Sequence, residues 1–434
     1  MAGVQQRRLT PEPVPSPAGG IESAATGPEC GNDTPERGNQ TMNTTAPSTV
    51  TVPDLVAIVR PFASRDKRRP ALRDALVQFT TDATSVTATD LEVAGTVTLR
   101  TPGVVPCSIL VEAATCHNVA ERDPLEFPAA DRMGGAEIAR VILTVTDVRR
   151  IADHVATATD PDSSRYALGG VLIERPESGM LTAVGTDGRR LHALRILPAA
   201  ADGSPRDGSI VPAVVFSRFV TAVRAAARVG LDLAGRRLAA AVEAGEVVIT
   251  FSEKEVALAW GSTCGTVAVR VGARLVEGRF PRWRDCVPPA AEVTAPAVVN
   301  GPAVAAACRE IAKATAEAAK AAAAAWVAEE AAKGRKRKAG EHKHLRGAQF
   351  SADGIAGRGC EVVRPVCSTP AVLLDPAFAA DAVEAAVEVG GHAVGGHAVD
   401  LRITDAQSAV VVLAREWQIA GPGFLAVVMP MAQD

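Results

Sequence analysis

The chain has 434 residues, a formal net charge of −3 at pH 7, 47% hydrophobic residues and only 3% aromatics. That length suits two to four domains, and the charge excludes a generally basic nucleic-acid binder while leaving room for a local basic surface. No run of about 18 uncharged apolar residues occurs, so no membrane span is expected, and no apolar leader is seen. The eight cysteines (Cys30, Cys107, Cys116, Cys264, Cys286, Cys308, Cys360 and Cys367) form no CxxC pair. Reduced, mostly buried thiols and a cytoplasmic setting are therefore expected, with neither a zinc site nor a disulfide scaffold.

Residues 1–50 are rich in Pro, Gly, Thr, Ser and Asn and are expected to be disordered; Met42, near their end, is a candidate translation start. From Val52 the pattern becomes regular. Leu55, Val56, Ile58, Val59 and Phe62 form a helical face, and Ala75–Phe79 and Ser85–Thr89 alternate like strands. Thr144–Ala158 reads as a helix with Val148, Ile151, Ala152 and Val155 inward, followed by strands at Val171–Glu174 and Met180–Val184. Phe216–Val229 is a second such helix, followed by strands at Leu238–Val242, Val247–Phe251 and Val256–Trp260. After Val287 come a helix at Ala303–Ile311, strands, a helix at Pro376–Val389 and further strands. Lys313–Lys333 is almost all Ala, Glu and Lys, a strong helix former. It runs into Gly334-Arg-Lys-Arg-Lys338 and reads as an insertion, a solvated helix and loop, with DNA contact as the alternative. Gly390–Val399, GGHAVGGHAV, is a tandem duplication that reads as loop filler.

One comparison is internal. Ser85–Val97 and Leu181–Leu194 share strand, Thr-Asp, strand, with Thr89 and Thr186 about 97 residues apart, a domain-sized interval. Serial α+β modules of about a hundred residues follow, each with short helices against antiparallel strands. Asp90 and Asp187 then read as turn-fixing carboxylates. There is no GxxxxGK[ST], HExxH or GxSxG, and none of the seven histidines has an acid/base partner in a local motif, so an enzyme is not expected.

Three separated strings, VGTDGRRLHAL (184–194), VEGRFPRWRDCVP (276–288) and VVMPM (427–431), together resemble the β sliding clamp of bacterial replicative DNA polymerase. PALRDALVQF (70–79), TATDLEV (87–93) and SRYALGGVLIE (164–174) extend the resemblance over roughly residues 52–434. It implies an α+β fold of three serial DNA-clamp domains and a head-to-tail homodimeric ring, helices lining the hole and sheets outside. It also implies a processivity factor that encircles double-stranded DNA without sequence readout, tethers DNA polymerase at high effective concentration and meets a clamp loader through the same cleft, with no cofactor, metal or catalytic residue. The implied divisions are an extension to residue 50, an abbreviated domain 51–140, a domain 141–289 and a domain 290–434 carrying the insertion at about 313–345. In the first domain Cys107–Asn118 is the candidate for the second helix that the family has there.

The implied peptide cleft takes Leu168 as apolar wall, and Thr186, Gly188, Arg189, Arg190 and Leu191 from the turn, with Arg190 gripping the partner and Arg189 bordering the rim. It also takes Pro281, Asp285, Cys286, Asp375 and Phe378, over a floor of Val427, Val428, Met429, Pro430 and Met431. Asp285 stands where the family commonly has a basic residue, Cys286 where it has an aliphatic one, and Gln407 where an apolar one is expected. For DNA the resemblance implies the loop Arg65, Lys67, Arg68 and Arg69, together with Tyr166; Arg149, Arg150, Arg224 and Arg228 are further candidates on helices. Phosphate neutralisation alone gives salt-sensitive, sequence-independent binding. The alternative reading is a divergent clamp-fold protein that binds partners without encircling DNA.

Overall fold

The computed structural model describes residues 50–116, 123–128, 136–160, 162, 166–175, 179–203, 205, 208–234, 242–243, 245–262, 265–288, 297–333, 335, 348–351, 354–357, 360–362, 372–390, 398–403, 407–414 and 422–431. Expectations for residues 1–49, including Met42, and for most of the basic run and of the GGHAV duplication lie outside the described residues. Pro47–Asp434 forms one compact unit.

Helix α1 (Val52–Val59) opens it. The Asp54 carboxylate accepts from the Thr51 amide (2.8 Å) and hydroxyl (2.6 Å), a capping box that fixes the helix start. The same device, Thr144 with Asp147, starts α2 (Val145–Arg150). The expected helix Thr144–Ala158 is present but irregular: a π turn at Ile151–Val155 and a 3-10 turn at Ala156–Ala158 follow α2. The remaining helices are α3 (Ala213–Ala234), α4 (Gly301–Ala332) and α5 (Pro376–Gly390).

The strands are β1 Asp74–Phe79, β2 Ala83–Thr89, β3 Val93–Arg100, β4 Cys107–Glu112, β5 Ala139–Thr144, β6 Gly170–Glu174, β7 Leu181–Thr186, β8 Arg190–Ile196, β9 Ala200–Gly203, β10 Ser209–Pro212, β11 Glu246–Phe251, β12 Glu255–Gly261 and β13 Val267–Arg274. They continue with β14 Ala297–Asn300, β15 Ala348–Ser351, β16 Gly354–Gly357, β17 Cys360–Val362, β18 Val372–Leu374, β19 Ala398–Arg402, β20 Val410–Ala414 and β21 Gly423–Val428. They form a nine-stranded sheet β4-β1-β2-β3-β13-β12-β11-β5-β9, an eight-stranded sheet β10-β6-β7-β8-β21-β20-β19-β14 and a four-stranded sheet β17-β16-β15-β18. Two seams join distant stretches of chain. β13 lies antiparallel on β3, with Ala273 opposite Val93, and β21 lies antiparallel on β8, with Val428 opposite Arg190. Helices cover the sheets, burying Phe62, Phe216, Phe219 and Phe424, each worth roughly 2–3 kcal/mol of burial.

The structure corrects three expectations. Cys107–Glu112 is strand β4, paired with β1, not a helix; Ile109-Leu110-Val111 is an apolar, partly β-branched run that suits a pleated surface. The Ala-rich stretch is not a separate element. Ala303–Ile311 runs into it as one 32-residue helix, α4, about 48 Å long at 1.5 Å per residue, because no Gly or Pro interrupts it after its first turn. Of the four cysteines whose side chains are described, Cys308 is buried, Cys107 and Cys286 are exposed and Cys116 is half-buried; these four thiols are free, but not mostly buried. Of the expected strand Leu238–Val242, only Val242 is described, and it lies in a helical turn. Among the described residues no helix is long and apolar enough to cross a membrane.

Candidate functional site

The turn between β7 and β8 is built by two side chains. The Asp187 Oδ1 accepts from the Arg189 amide (2.8 Å) and the Arg190 amide (2.9 Å). The Thr186 hydroxyl donates to the Arg190 carbonyl (2.6 Å) and accepts from the Gly188 amide (3.1 Å). Gly188 has φ +85° and a Cβ there would meet nothing within 4 Å, so glycine is favoured there by conformation and not by crowding. Thr89–Val93 repeats this turn. Asp90 Oδ1 accepts from the Glu92 (3.0 Å) and Val93 (2.9 Å) amides, Thr89 hydroxyl donates to the Val93 carbonyl (3.2 Å), and Leu91 takes the glycine's place at φ +79°. Both aspartates thus fix turns.

Arg190 is fully engaged. Its Nε donates to Asp187 (3.2 Å), Nη1 donates to Asp381 on α5, Nη2 donates to the Thr157 carbonyl (2.6 Å), and the guanidinium lies 4.2 Å from the centre of the Phe378 ring. Its side chain is 12% exposed. The π and 3-10 turns present that carbonyl, and also the His154 carbonyl that accepts from His192 Nδ1. Gly185 allows this approach: a Cβ there would stand 2.3 Å from the Val155 carbonyl oxygen. Asp381, Glu384 and Glu388 line one face of α5, at i, i+3 and i+7. Arg190 and Arg309 take Asp381, Arg309 also takes Glu384, and Arg149 (2.7 Å) and His154 (3.0 Å) take Glu388. Although desolvation acts the other way, Arg149 and His154 hold Glu388 below the usual carboxylate range. Burial, outweighing Glu388 and Asp153, pushes His154 down, and full burial takes His192 down to about 4.

The VVMPM string runs out of β21 between two sheets. The Met429 amide donates to the Arg189 carbonyl (2.9 Å) and the Met431 amide to the Leu373 carbonyl (2.8 Å). Val427 and Val428 are buried, Pro430 and Met431 half-buried, and Met429 is 45% exposed. Asp375 caps α5 by accepting from the Ala377 amide (2.9 Å) and, with Phe378, is half-buried. Met429 and Met431 are thereby tied to the turn and to β18, and Phe378 meets the same turn through Arg190. Gln407 is exposed.

Across this site, Leu168 and Thr186 are buried, and Leu191 and Val427 belong to one apolar cluster with Phe280 and Trp283. Trp283 also donates to Glu174 (3.4 Å), which pairs with Arg284 (2.8 Å). Burying Phe280 and Trp283 leaves Pro281, Asp285 and Cys286 exposed, beside a cavity of about 380 Å³ that Pro281 and Asp285 help line. Sequence reasoning missed the anchoring role of Phe280 and Trp283, and Asp381; the only available signal for Asp381 was the acidic i, i+3, i+7 face of α5.

The basic candidates divide. Arg65, Lys67, Arg68 and Arg69 are all exposed on one loop, shaped by Asp66 accepting from the Arg68 amide (2.9 Å). Arg149 is surrounded by Asp153, Glu243 and Glu388, so its charge is neutralised. Arg150 is half-buried. Arg224 and Arg228 are both exposed on the face of α3 opposite Phe219 and Val223, Arg224 lying 3.7 Å from Glu243. Tyr166 opens the short 3-10 turn Tyr166–Gly169, and its side chain lies outside the described residues.

The fold is shared with solved sliding clamps. The DNA polymerase III subunit beta from Pseudomonas aeruginosa matches with 18% identity and a TM-score of 0.62 over 88% of this chain and 97% of its own. The C. crescentus beta sliding clamp matches with 18% identity and a TM-score of 0.62 over the same shares. The DNA polymerase III beta subunit from Thermotoga maritima matches with 14% identity and a TM-score of 0.60, again over 88% and 97%. No family model and no curated protein matches the chain. The chain has the sliding-clamp fold, an α+β arrangement of short helices against large antiparallel sheets, as its three strings imply.

Proposed function

We propose that this chain is a DNA sliding clamp. It is a processivity factor and not an enzyme, and acts in the cytoplasm. Its homodimer encircles double-stranded DNA without sequence readout, and its cleft tethers DNA polymerase and the clamp loader. Its serial modules span 51–140, 141–289 and 290–434. The observation that carries this reading is the hooked C-terminal string: Met429 and Met431 each donate a backbone bond, to Arg189 and to Leu373, in a fold shared over 97% of a solved clamp's length. An exposed methionine bonded to a turn whose arginine packs on half-buried Phe378 suits a surface that takes several partner peptides, because the thioether is flexible and polarizable. Arg189, the exposed cation, is the residue for a partner's side chain; Arg190 holds the cleft together. The exposed Arg65–Arg69 loop supplies phosphate contacts, and the outer edge of β4 is the first module's open sheet edge for ring closure.

One observation favours a second reading, a clamp-fold interaction protein that does not encircle DNA. Among the described residues the first module has α1 and four strands, without the second helix that the resemblance implies. Sedimentation equilibrium at micromolar concentration decides between them: a mass twice the 44.8 kDa of the chain supports the ring, and a monomer overturns it.

A further inference from the structure

The cleft's backbone pattern occurs a second time, at the β3–β13 seam. In the cleft, Val428 pairs with Arg190, and three residues later the Met431 amide donates to Leu373, three residues before α5 begins. At the other seam, Ala273 pairs with Val93, and three residues later the Val276 amide donates to Ile210 (2.8 Å), three residues before α3 begins. The Thr-Asp turns that open β3 and β8 share four side-chain bonds to the backbone. Arg274, Leu275 and Val276 therefore stand where Met429, Pro430 and Met431 stand, and Ile210 stands where Leu373 stands.

This second place holds a cavity of about 730 Å³, lined by Gly208–Ile210, Glu253–Glu255 and Arg274–Gly278. Its size is that of a ligand cleft. Leu275 and Val276, both half-buried, supply apolar surface, while Ile210 is buried. Glu253 and Glu277 are exposed, and the third carboxylate, Glu255, is half-buried with its Oε2 shielded from solvent and without a hydrogen-bond partner. The unpaired Oε2 is sealed from any ligand, so Glu255 meets the cavity through its other oxygen, Oε1. Three carboxylates face two cations, Lys254 and Arg274, so the electrostatic complement is basic.

We infer that this cavity is a second docking groove, which takes an extended partner peptide alternating apolar and basic residues, with a lysine or arginine donating to Glu255. The class of occupant rests on reading the cleft as a peptide site; the groove itself rests on the repeated hydrogen bonds and on Glu255.

The test is fluorescence anisotropy on the full chain with the labelled peptide GLKLKLG and its acidic counterpart GLELELG. The basic peptide binds, Glu255→Gln weakens it at least tenfold, Met429→Ala leaves it unchanged, and the acidic peptide fails to bind. No binding of the basic peptide overturns the inference. So does binding that survives Glu255→Gln, or that is lost with Met429→Ala, which would put the peptide in the cleft. Should Glu255→Gln not fold, the exposed pair Glu253→Gln and Glu277→Gln serves instead, with a threefold loss expected and an unchanged affinity contradicting the proposal. A monomer in sedimentation would remove the ring and leave this result standing.

Discussion

Replacing Arg190 separates a residue that grips a partner from one that holds two parts of the molecule together. Arg190→Ala removes hydrogen bonds to Asp187, Asp381 and the Thr157 carbonyl, and the contact with Phe378. Breaking a largely buried pair from one side destabilises by about 3–5 kcal/mol, and the aromatic contact adds roughly 1 kcal/mol. Arg309 still neutralises Asp381, and Asp381 is 27% exposed, so the loss falls toward the lower end, about 3 kcal/mol. A double-mutant cycle with Asp381→Ala, read by urea denaturation, isolates the pair; a coupling of about 1–3 kcal/mol is expected. A coupling below about 0.5 kcal/mol, within the scatter for independent sites, together with loss of peptide binding in Arg190→Ala, would refute the clip and restore Arg190 as the gripping residue.

Three other outcomes follow from the same geometry. His192 is fully buried and neutral, so below pH 6.5 the unfolded chain takes up a proton that the folded chain refuses until about pH 4; stability is complete above pH 6.5 and declines by up to about 3 kcal/mol across that window. Urea midpoints at pH 5 and 7.5 should differ less in His192→Gln than in the parent, and an equal difference rules this out. Gly188→Ala meets no neighbour but must adopt φ +85°, so a loss of about 1 kcal/mol is expected, and denaturation showing none would mean the turn relaxes. Neutralising Arg65, Lys67, Arg68 and Arg69 together should lower the slope of log affinity for duplex DNA against log salt by about 3–4, whereas Arg149→Ala should leave that slope unchanged; the reverse pattern would move the DNA contact to α2.

What the sequence revealed depended on range. The Thr-Asp turns were legible because every bond that builds them spans at most four residues, and the recurrence of Thr89 at Thr186 pointed to repeated modules. The faces of α1 and α3 followed from periodicity. The bond from Arg190 to Asp381 was not legible because the two lie 191 residues apart, and an arginine beside a tight turn carries no mark of that pairing. The β4 strand was mistaken for a helix because a short apolar run fits either period, and only β1 alongside decides it. The join of Ala303–Ile311 to the Ala-rich stretch was readable from the absence of a helix breaker, but the change in composition suggested a boundary.

The most direct test of the proposed function is retention on DNA of defined topology. With a clamp loader and ATP, the chain is placed on nicked circular duplex, passed through gel filtration at salt that screens phosphate contacts, and the DNA is then cut once. A ring stays with the circle through filtration and is released on linearisation. Retention that cutting does not change, or the same loss from circle and line, would contradict a clamp that encircles DNA.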